Sequence, residues 1–256
     1  MRSARIQVYP HIGQLLQDEN EFHAINAAHN RPCQPFPPDF RSQALIAQLP
    51  SKPAIEELIA AYFTDVNWHY FILEKYYFDC ILSCWYGVDI GPVKHLSTEE
   101  LSKELRYFPA LLFQVLALAI QFLPPGAPAW KHLSANDIAL CGSYSDIGVE
   151  LMTILGRPGV ALTAVQADFL RSSWLKNIGR GVEAWHSVGN AIRYVLSQNL
   201  SGPKLIIELR SAQELGLHRQ REIRQQGPDD IEKTLSAIWY EEYKTRLWMN
   251  LFIWDR

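Results

Sequence analysis

The sequence predicts an all-α fold, an irregular multi-helix bundle, on three observations. Apolar residues recur at three- and four-residue spacing through most of the chain. Alternation of the β type is nearly absent, with Leu205-Ile-Ile207 the single short candidate strand. Phe108 to Phe122 is apolar on nearly every side, as a central core helix is. The chain has 256 residues, 48% hydrophobic and 20% charged, so its composition is globular and its length allows a substantial core.

Taken in order, residues 1–52 read as an irregular lead-in with a short helix from Ile12 to Ala28. The proline-rich stretch Pro32 to Pro38 and the loop Leu49-Pro-Ser-Lys-Pro53 follow, and fixed proline φ angles make such a region a stiff connector. The domain boundary therefore falls near residue 49, with 1–48 as linker and 49–256 as the helical domain. From Pro53, the residues Ile55, Leu58, Ile59, Tyr62, Phe63 and Val66 form one continuous helical face. An aromatic turn, Asn67-Trp-His-Tyr-Phe71, leads to a second helix striped by Phe78, Ile81, Leu82 and Trp85, with Gly87 as its stop.

Ser97-Thr-Glu-Glu100 has the pattern of a capping box and starts the helix that leads into the apolar stretch. After the breaker Leu123-Pro-Pro-Gly-Ala-Pro128, helicity returns near Asn136 with Tyr144, Ile147, Leu151, Ile154 and Leu155 on its face, and Gly156-Arg-Pro-Gly159 ends it. Thr163 is the expected cap of the next helix, which runs to about Lys176. Val182, Trp185, Val188, Gly189, Ile192, Val195 and Leu196 mark another. The last begins near Ile231 and carries Leu235, Ile238, Trp239, Tyr243, Leu247, Leu251 and Ile253 or Trp254.

Charge and cysteine usage exclude several functions. A net charge of −3 argues against direct nucleic-acid contact, which needs a basic stripe to displace counterions. The densest basic stretch, Arg210 to Arg224, also holds Glu214 and Glu222 and reads as a solvated helix face. The four cysteines, Cys33, Cys80, Cys84 and Cys141, are too scattered for a disulfide scaffold. Cys80 and Cys84 are four residues apart on a helix, but no second ligand pair follows at zinc spacing, so they read as buried thiols. Met1-Arg-Ser-Ala-Arg does not open a signal peptide, and the apolar run Leu111 to Leu123 is too short to span a bilayer; an intracellular location is expected. Asn199-Leu-Ser201 is a glycosylation triplet that matters only in a secreted chain.

The motif search yields no catalytic, cofactor-binding or metal residue. Gly179-Arg-Gly-Val-Glu-Ala184 formally matches the dinucleotide fingerprint, but that motif works after a strand, and Trp174 to Ile178 continues a helical pattern. A tight turn between antiparallel helices explains it. Gly142-Ser-Tyr-Ser-Asp146 lacks the second glycine and the preceding strand of a nucleophile elbow. The histidines, His69 and His186 among them, are dispersed and read as structural. Glu99-Glu100, Asp229-Asp230 and Glu241-Glu242 sit in first turns or on exposed faces, where carboxylates complement the helix dipole. No enzyme class is supported, and no cofactor is expected.

Three segments, in order, resemble the middle regulatory domain of fungal zinc-cluster transcription factors. The first is Leu49 to Pro53 with Glu56-Glu-Leu-Ile-Ala-Ala-Tyr-Phe63, Val66-Asn-Trp-His-Tyr-Phe71 and Tyr77-Phe78. The second is Gly181-Val-Glu-Ala-Trp185 to Ala191-Ile-Arg193 with Ala212-Gln-Glu-Leu-Gly-Leu-His218. The third is Glu242-Tyr-Lys-Thr-Arg-Leu-Trp248 to Trp254-Asp-Arg256. The resemblance covers about residues 45–256 and implies a nuclear helical domain that tunes transcription by RNA polymerase II through a protein partner, a homodimer contact or a small-molecule effector. It also implies that DNA is read by a separate six-cysteine cluster holding two zinc ions. With four cysteines and no Cys-x-x-Cys spacing, this chain has no such cluster, so zinc is expected only outside it.

Two departures from the family pattern carry expectations. The family's Ala-Ile-Arg helix flows directly into the Leu-Gly-Leu-His element, whereas Val195 to Ser211 intervene here, seventeen residues including Ser201-Gly-Pro203. Either a short intron translated in frame or a surface loop accounts for the insertion. The family also continues beyond the Asp-Arg ending into further core helices. The expected bundle is accordingly truncated at its C-terminus, with aromatic surface left exposed along the apolar helix Leu247 to Trp254. Two other readings stand beside this one. A helical adaptor lacks the internal repeat such scaffolds show, and a small-molecule-binding domain would show an aromatic-lined cavity with convergent polar groups.

Overall fold

The computed structural model describes residues 40–88, 98–133, 138–156, 161–197 and 231–255. Among them 84% are helical and none lies in a strand, as an all-α fold requires. Several expected features lie outside the described residues: the helix at 12–28, the proline-rich stretch 32–38, Cys33, Ser97, the candidate strand at 205–207 and the basic run 210–224. So do the Leu-Gly-Leu-His element, Asn199, Asp229-Asp230 and positions 198–211 of the insertion.

Helix α1 (Phe40–Ile46) forms where the sequence predicts only a connector. Its one-turn apolar signal is too short to register, and tertiary contact supplies what propensity does not: Leu45 enters the core, and Arg41 pairs with Glu150 at 2.6 Å. Helix α2 (Lys52–Ala61) starts with Pro53 in its first turn, where the missing N–H costs nothing. Ile55, Leu58 and Ile59 are buried as the periodicity predicts. The chain then widens into a π turn at Tyr62–Val66 and tightens into a 3₁₀ turn at Asn67–His69. Phe71 follows with φ of 49°, a left-handed conformation rare for an aromatic residue.

Asn67 explains how this irregular corner stays buried. Its side-chain amide donates to Leu73 O at 2.8 Å and its Oδ1 accepts from Leu73 N at 3.1 Å, replacing a backbone pairing that no helix provides there. Helix α3 (Lys75–Trp85) then buries Tyr77, Phe78, Ile81 and Trp85. It closes in a Schellman motif: Gly87, at φ 76°, donates to Cys84 O, and Val88 donates to Ser83 O, both at 3.0 Å.

Helix α4 (Thr98–Phe122) is the centre of the bundle and packs most extensively against α5 (Ile138–Leu155) and α6 (Leu162–Asn177). Residues Tyr107 to Ile120 are buried without interruption. By length and composition α4 as a whole would cross a bilayer, which the shorter run Leu111 to Leu123 would not. Some 78% of its most apolar window is covered by the other helices, so its apolarity serves the core. Pro109 removes one intrahelical hydrogen bond but is itself buried, so packing offsets the loss. A 3₁₀ turn at Pro128–His132 bridges α4 and α5 and rests on α2.

Helices α6 and α7 (Gly181–Ser197) form a close pair across a three-residue turn. Val182 and Trp185, which repeat at helical spacing with Val188, are exposed by 73% and 54%. The packing face is Ala184, Val188 and Ala191, because small side chains let α7 approach α6. Helix α8 (Ile231–Asp255) completes the described fold, seated on α6, α7 and the segment 70–77 by Tyr243, Leu247, Leu251 and Trp254.

Candidate functional site

The motifs that suggested chemistry resolve into structure. Gly179 has φ of 82° and is a second Schellman glycine: it donates to Lys176 O at 3.0 Å, and Arg180 donates to Leu175 O at 2.9 Å. The apparent dinucleotide fingerprint is thus a helix stop followed by a helix start. Within Gly142–Asp146, Ser145 lies inside α5 and is fully buried. Its hydroxyl donates to Gln114 Oε1 at 2.8 Å and accepts from Arg171 Nη1 at 2.7 Å, a position no attacking nucleophile can use.

Cys80 and Cys84 are half-buried, and burial pushes the Cys80 thiol up to about 11. A thiol so reluctant to ionise is a poor metal ligand. Among the described residues no three His, Cys, Asp or Glu side chains are grouped to hold a metal. His69 Nδ1 bonds Val66 O at 2.8 Å, and His186 lies beside Trp185 on the exposed side of α7. Glu99 pairs with Lys103 at 2.6 Å in an exposed i, i+4 bridge.

The polar centre of the domain is one that the sequence does not reveal. Glu104, on α4, is only 7% exposed, and its carboxylate caps the N-terminus of α6. Oε1 accepts from Leu162 N and Oε2 from Thr163 N, each at 2.8 Å. Thr163 is therefore not the cap the sequence predicts. It lies inside the first turn, and its hydroxyl donates to the Glu104 backbone carbonyl at 3.0 Å. Burial raises the Glu104 carboxyl above its ordinary value, while the two amide donors pull it down.

Beside this cap, Gln166 Nε2 donates to the Tyr243 hydroxyl and, at 3.3 Å, to Ile72 O. Tyr77 stacks on Tyr243 with centroids 5.4 Å apart, and Tyr240 meets Tyr77 edge-on at 5.3 Å. Burial holds the Tyr240 and Tyr243 phenols far above their ordinary value, so both are neutral. The space these residues enclose is about 20 Å³, room for one water and no ligand. The cluster anchors α8.

Further along α8 the anchoring continues. Asn250 Nδ2 donates to Tyr70 O at 2.9 Å, and Arg246 lies 3.8 Å from the Glu74 carboxylate. The Trp254 ring packs against Tyr70 and Phe169 at 5.1 and 5.0 Å, with the Lys176 ammonium 4.5 Å above it. The aromatic exposure expected at the end of this helix does not appear at Trp254, which is partly covered, and Leu247 and Leu251 are buried, while the non-aromatic Met249 and Ile253 face outward; the side chains of Trp248 and Phe252 lie outside the described residues. Leu235, Ile238 and Trp239 are also exposed, as an apolar edge along the first half of α8.

A family model described as a fungal specific transcription factor domain matches residues 59–256, a span that includes the Glu104 cap, its tyrosine neighbours and all of α8. No curated protein and no solved structure matches the chain.

Proposed function

The chain belongs to the family of fungal specific transcription factor domains, and from that premise we propose that it is a regulatory part of a transcription factor, acting through contacts with other protein. The family match over residues 59–256 carries the reading. The family is non-catalytic, and we infer that this chain catalyses no reaction: the polar centre around Glu104 is spent on anchoring helices. The exposed apolar residues of α7 and α8, Val182, Trp185, Leu235, Ile238 and Trp239, support contacts with a protein partner.

DNA reading and zinc are assigned to another polypeptide segment. Two zinc ions held by six cysteines do not fit a chain with four, of which two lie on one helix and one is buried in α5. A nuclear location follows from the transcriptional reading.

The reading is tested by fusing the chain to an unrelated DNA-binding domain and measuring a reporter driven by that domain's site in a fungal host. Reporter output is expected to differ several-fold from the DNA-binding domain alone, and a fluorescent fusion of the chain to collect in nuclei. An unchanged output from a stably accumulated fusion would overturn the regulatory role.

A further inference from the structure

A second hollow, of about 50 Å³, is walled by the corner that joins α2 to α3 and shares only Tyr70 and Ile72 with the anchor for α8 described above. Tyr62, Val66, Asn67, His69 and Tyr70 form one wall, Leu118 and Phe122 of α4 another, and Leu170, Ser173 and Asn177 of α6 the third. The first wall contains every departure from regular helix in this part of the chain: the π turn, the 3₁₀ turn and, at its end, the left-handed Phe71. Such widened or strained backbone is costly to keep and concentrates at binding sites.

Polar groups converge on this space. Ser173 is only 6% exposed, but its hydroxyl, which has no hydrogen-bond partner among the described residues, is not sealed from water and opens onto the hollow. The neighbouring Ser172 instead donates to Asp168 O at 2.9 Å. His69 Nδ1 faces the Val66 carbonyl at 2.8 Å, and because a carbonyl can only accept, Nδ1 carries a proton there. Asn177 gives its amide N–H to Gln121 at 2.9 Å and keeps its Oδ1 as an acceptor. No Asp, Glu, Lys or Arg lines the hollow.

We propose that this hollow binds a small uncharged molecule carrying one hydroxyl on an apolar body, an alcohol or phenol. The hydroxyl pairs with Ser173 and His69. The carbons next to the hydroxyl meet Val66, Leu118 and Leu170. The volume is about a third of a cavity that takes benzene whole, so the hydroxyl-bearing end enters. The remainder lies at the open side against His69 and Phe122, where Trp68 stacks on the imidazole at 3.9 Å. A carboxylate or an ammonium would find no partner charge and would lose its hydration.

The test is a saturation-transfer NMR titration of the full chain with phenol, toluene and benzoate as probes, independent of any reporter. Phenol is expected to bind saturably, toluene about tenfold more weakly for want of the hydroxyl, and benzoate not at all. Ser173→Ala removes the hydroxyl without adding bulk and should weaken phenol about fivefold or more. Ser173→Leu fills the hollow and should abolish binding; circular dichroism checks that both variants are folded, and Ser173→Ala alone decides if the larger change unfolds the chain. The proposal is overturned if phenol does not bind, if Ser173→Ala binds it as wild type does, or if benzoate binds as tightly as phenol.

Discussion

Glu104 and Thr163, 59 residues apart in the chain, hold each other by side chain and backbone in both directions: the Glu104 carboxylate accepts the Thr163 N–H, and the Thr163 hydroxyl donates to the Glu104 carbonyl. A helix N-terminus has orphan donors and a partial positive charge, and here a neighbouring helix supplies the capping anion in place of the preceding residue. The pairing fixes the register of α6 against α4. Gln166, one turn further along α6, then faces the Tyr243 hydroxyl of α8.

Glu104→Ala should therefore be among the more damaging single changes. It leaves one buried and one part-buried N–H group without acceptors, a loss of about 2–4 kcal/mol, or roughly 5–12 °C in the thermal midpoint of a domain this size. Glu104→Gln keeps one acceptor oxygen and should fall between that variant and wild type. Thermal melts of the three proteins check the order.

Stability should also depend on pH through the same carboxyl. Its value is raised in the folded chain, as are those of Glu74 and Asp79, in each case chiefly by burial. The folded form then binds a proton more readily than the unfolded form. Stability from these groups is complete below the ordinary carboxylate value and is lost as pH rises through the folded value. Urea midpoints for wild type should gain on those for Glu104→Gln as pH falls from neutral to about 5. A gap that narrows instead would contradict the assigned direction.

Two Gly→Ala changes should have opposite signs. A Cβ at Gly148 would collide with the buried Gln114 amide and lie 3.1 Å from Ala110 O, so Gly148→Ala should cost about 1–3 kcal/mol. Nothing lies within 4 Å of a Cβ at Gly189, inside α7, and Gly189→Ala should stabilise by about 0.5–1 kcal/mol. Chemical denaturation of both variants gives the two values.

Tyr243 should separate hydrogen bonding from packing in the seating of α8. Tyr243→Phe keeps the ring against Tyr77 and leaves Gln166 its contact with Ile72 O, so a loss near 1 kcal/mol is expected. Tyr243→Ala removes the ring as well and should cost about 3–5 kcal/mol. Hydrogen exchange should show that loss first as faster exchange in α8, with α4 to α6 still protected.

The sequence made the helices legible where apolar side chains keep one period over several turns, as Ile55, Leu58, Ile59, Tyr62 and Val66 do. It did not disclose the π turn, because the residues of a widened turn keep nearly the same spacing. Val182 and Trp185 repeat at helical spacing yet face outward, because the close approach of α7 to α6 uses Ala184 and Ala191. The polar centre was illegible for a different reason. Glu104 follows Lys103 in an ordinary charged first section of a helix, and its role depends on a backbone 59 residues away. The one signal within reach was Gln166, a long polar side chain among Ala164, Val165, Ala167 and Phe169.

The anchors that tie α8 to Tyr70 close a longer stretch of chain than the contacts within the rest of the bundle. Gln114 meets Ser145 across 31 residues and Glu104 meets Thr163 across 59, whereas Asn250 reaches Tyr70 across 180. Closure entropy grows with the length enclosed, and a nascent chain leaves the ribosome N-terminus first. During synthesis the corner at Tyr70 to Tyr77 and the capped helix α6 are therefore complete while their last occupant is still untranslated. The cell must carry that apolar surface uncovered for the time taken to make the remaining residues.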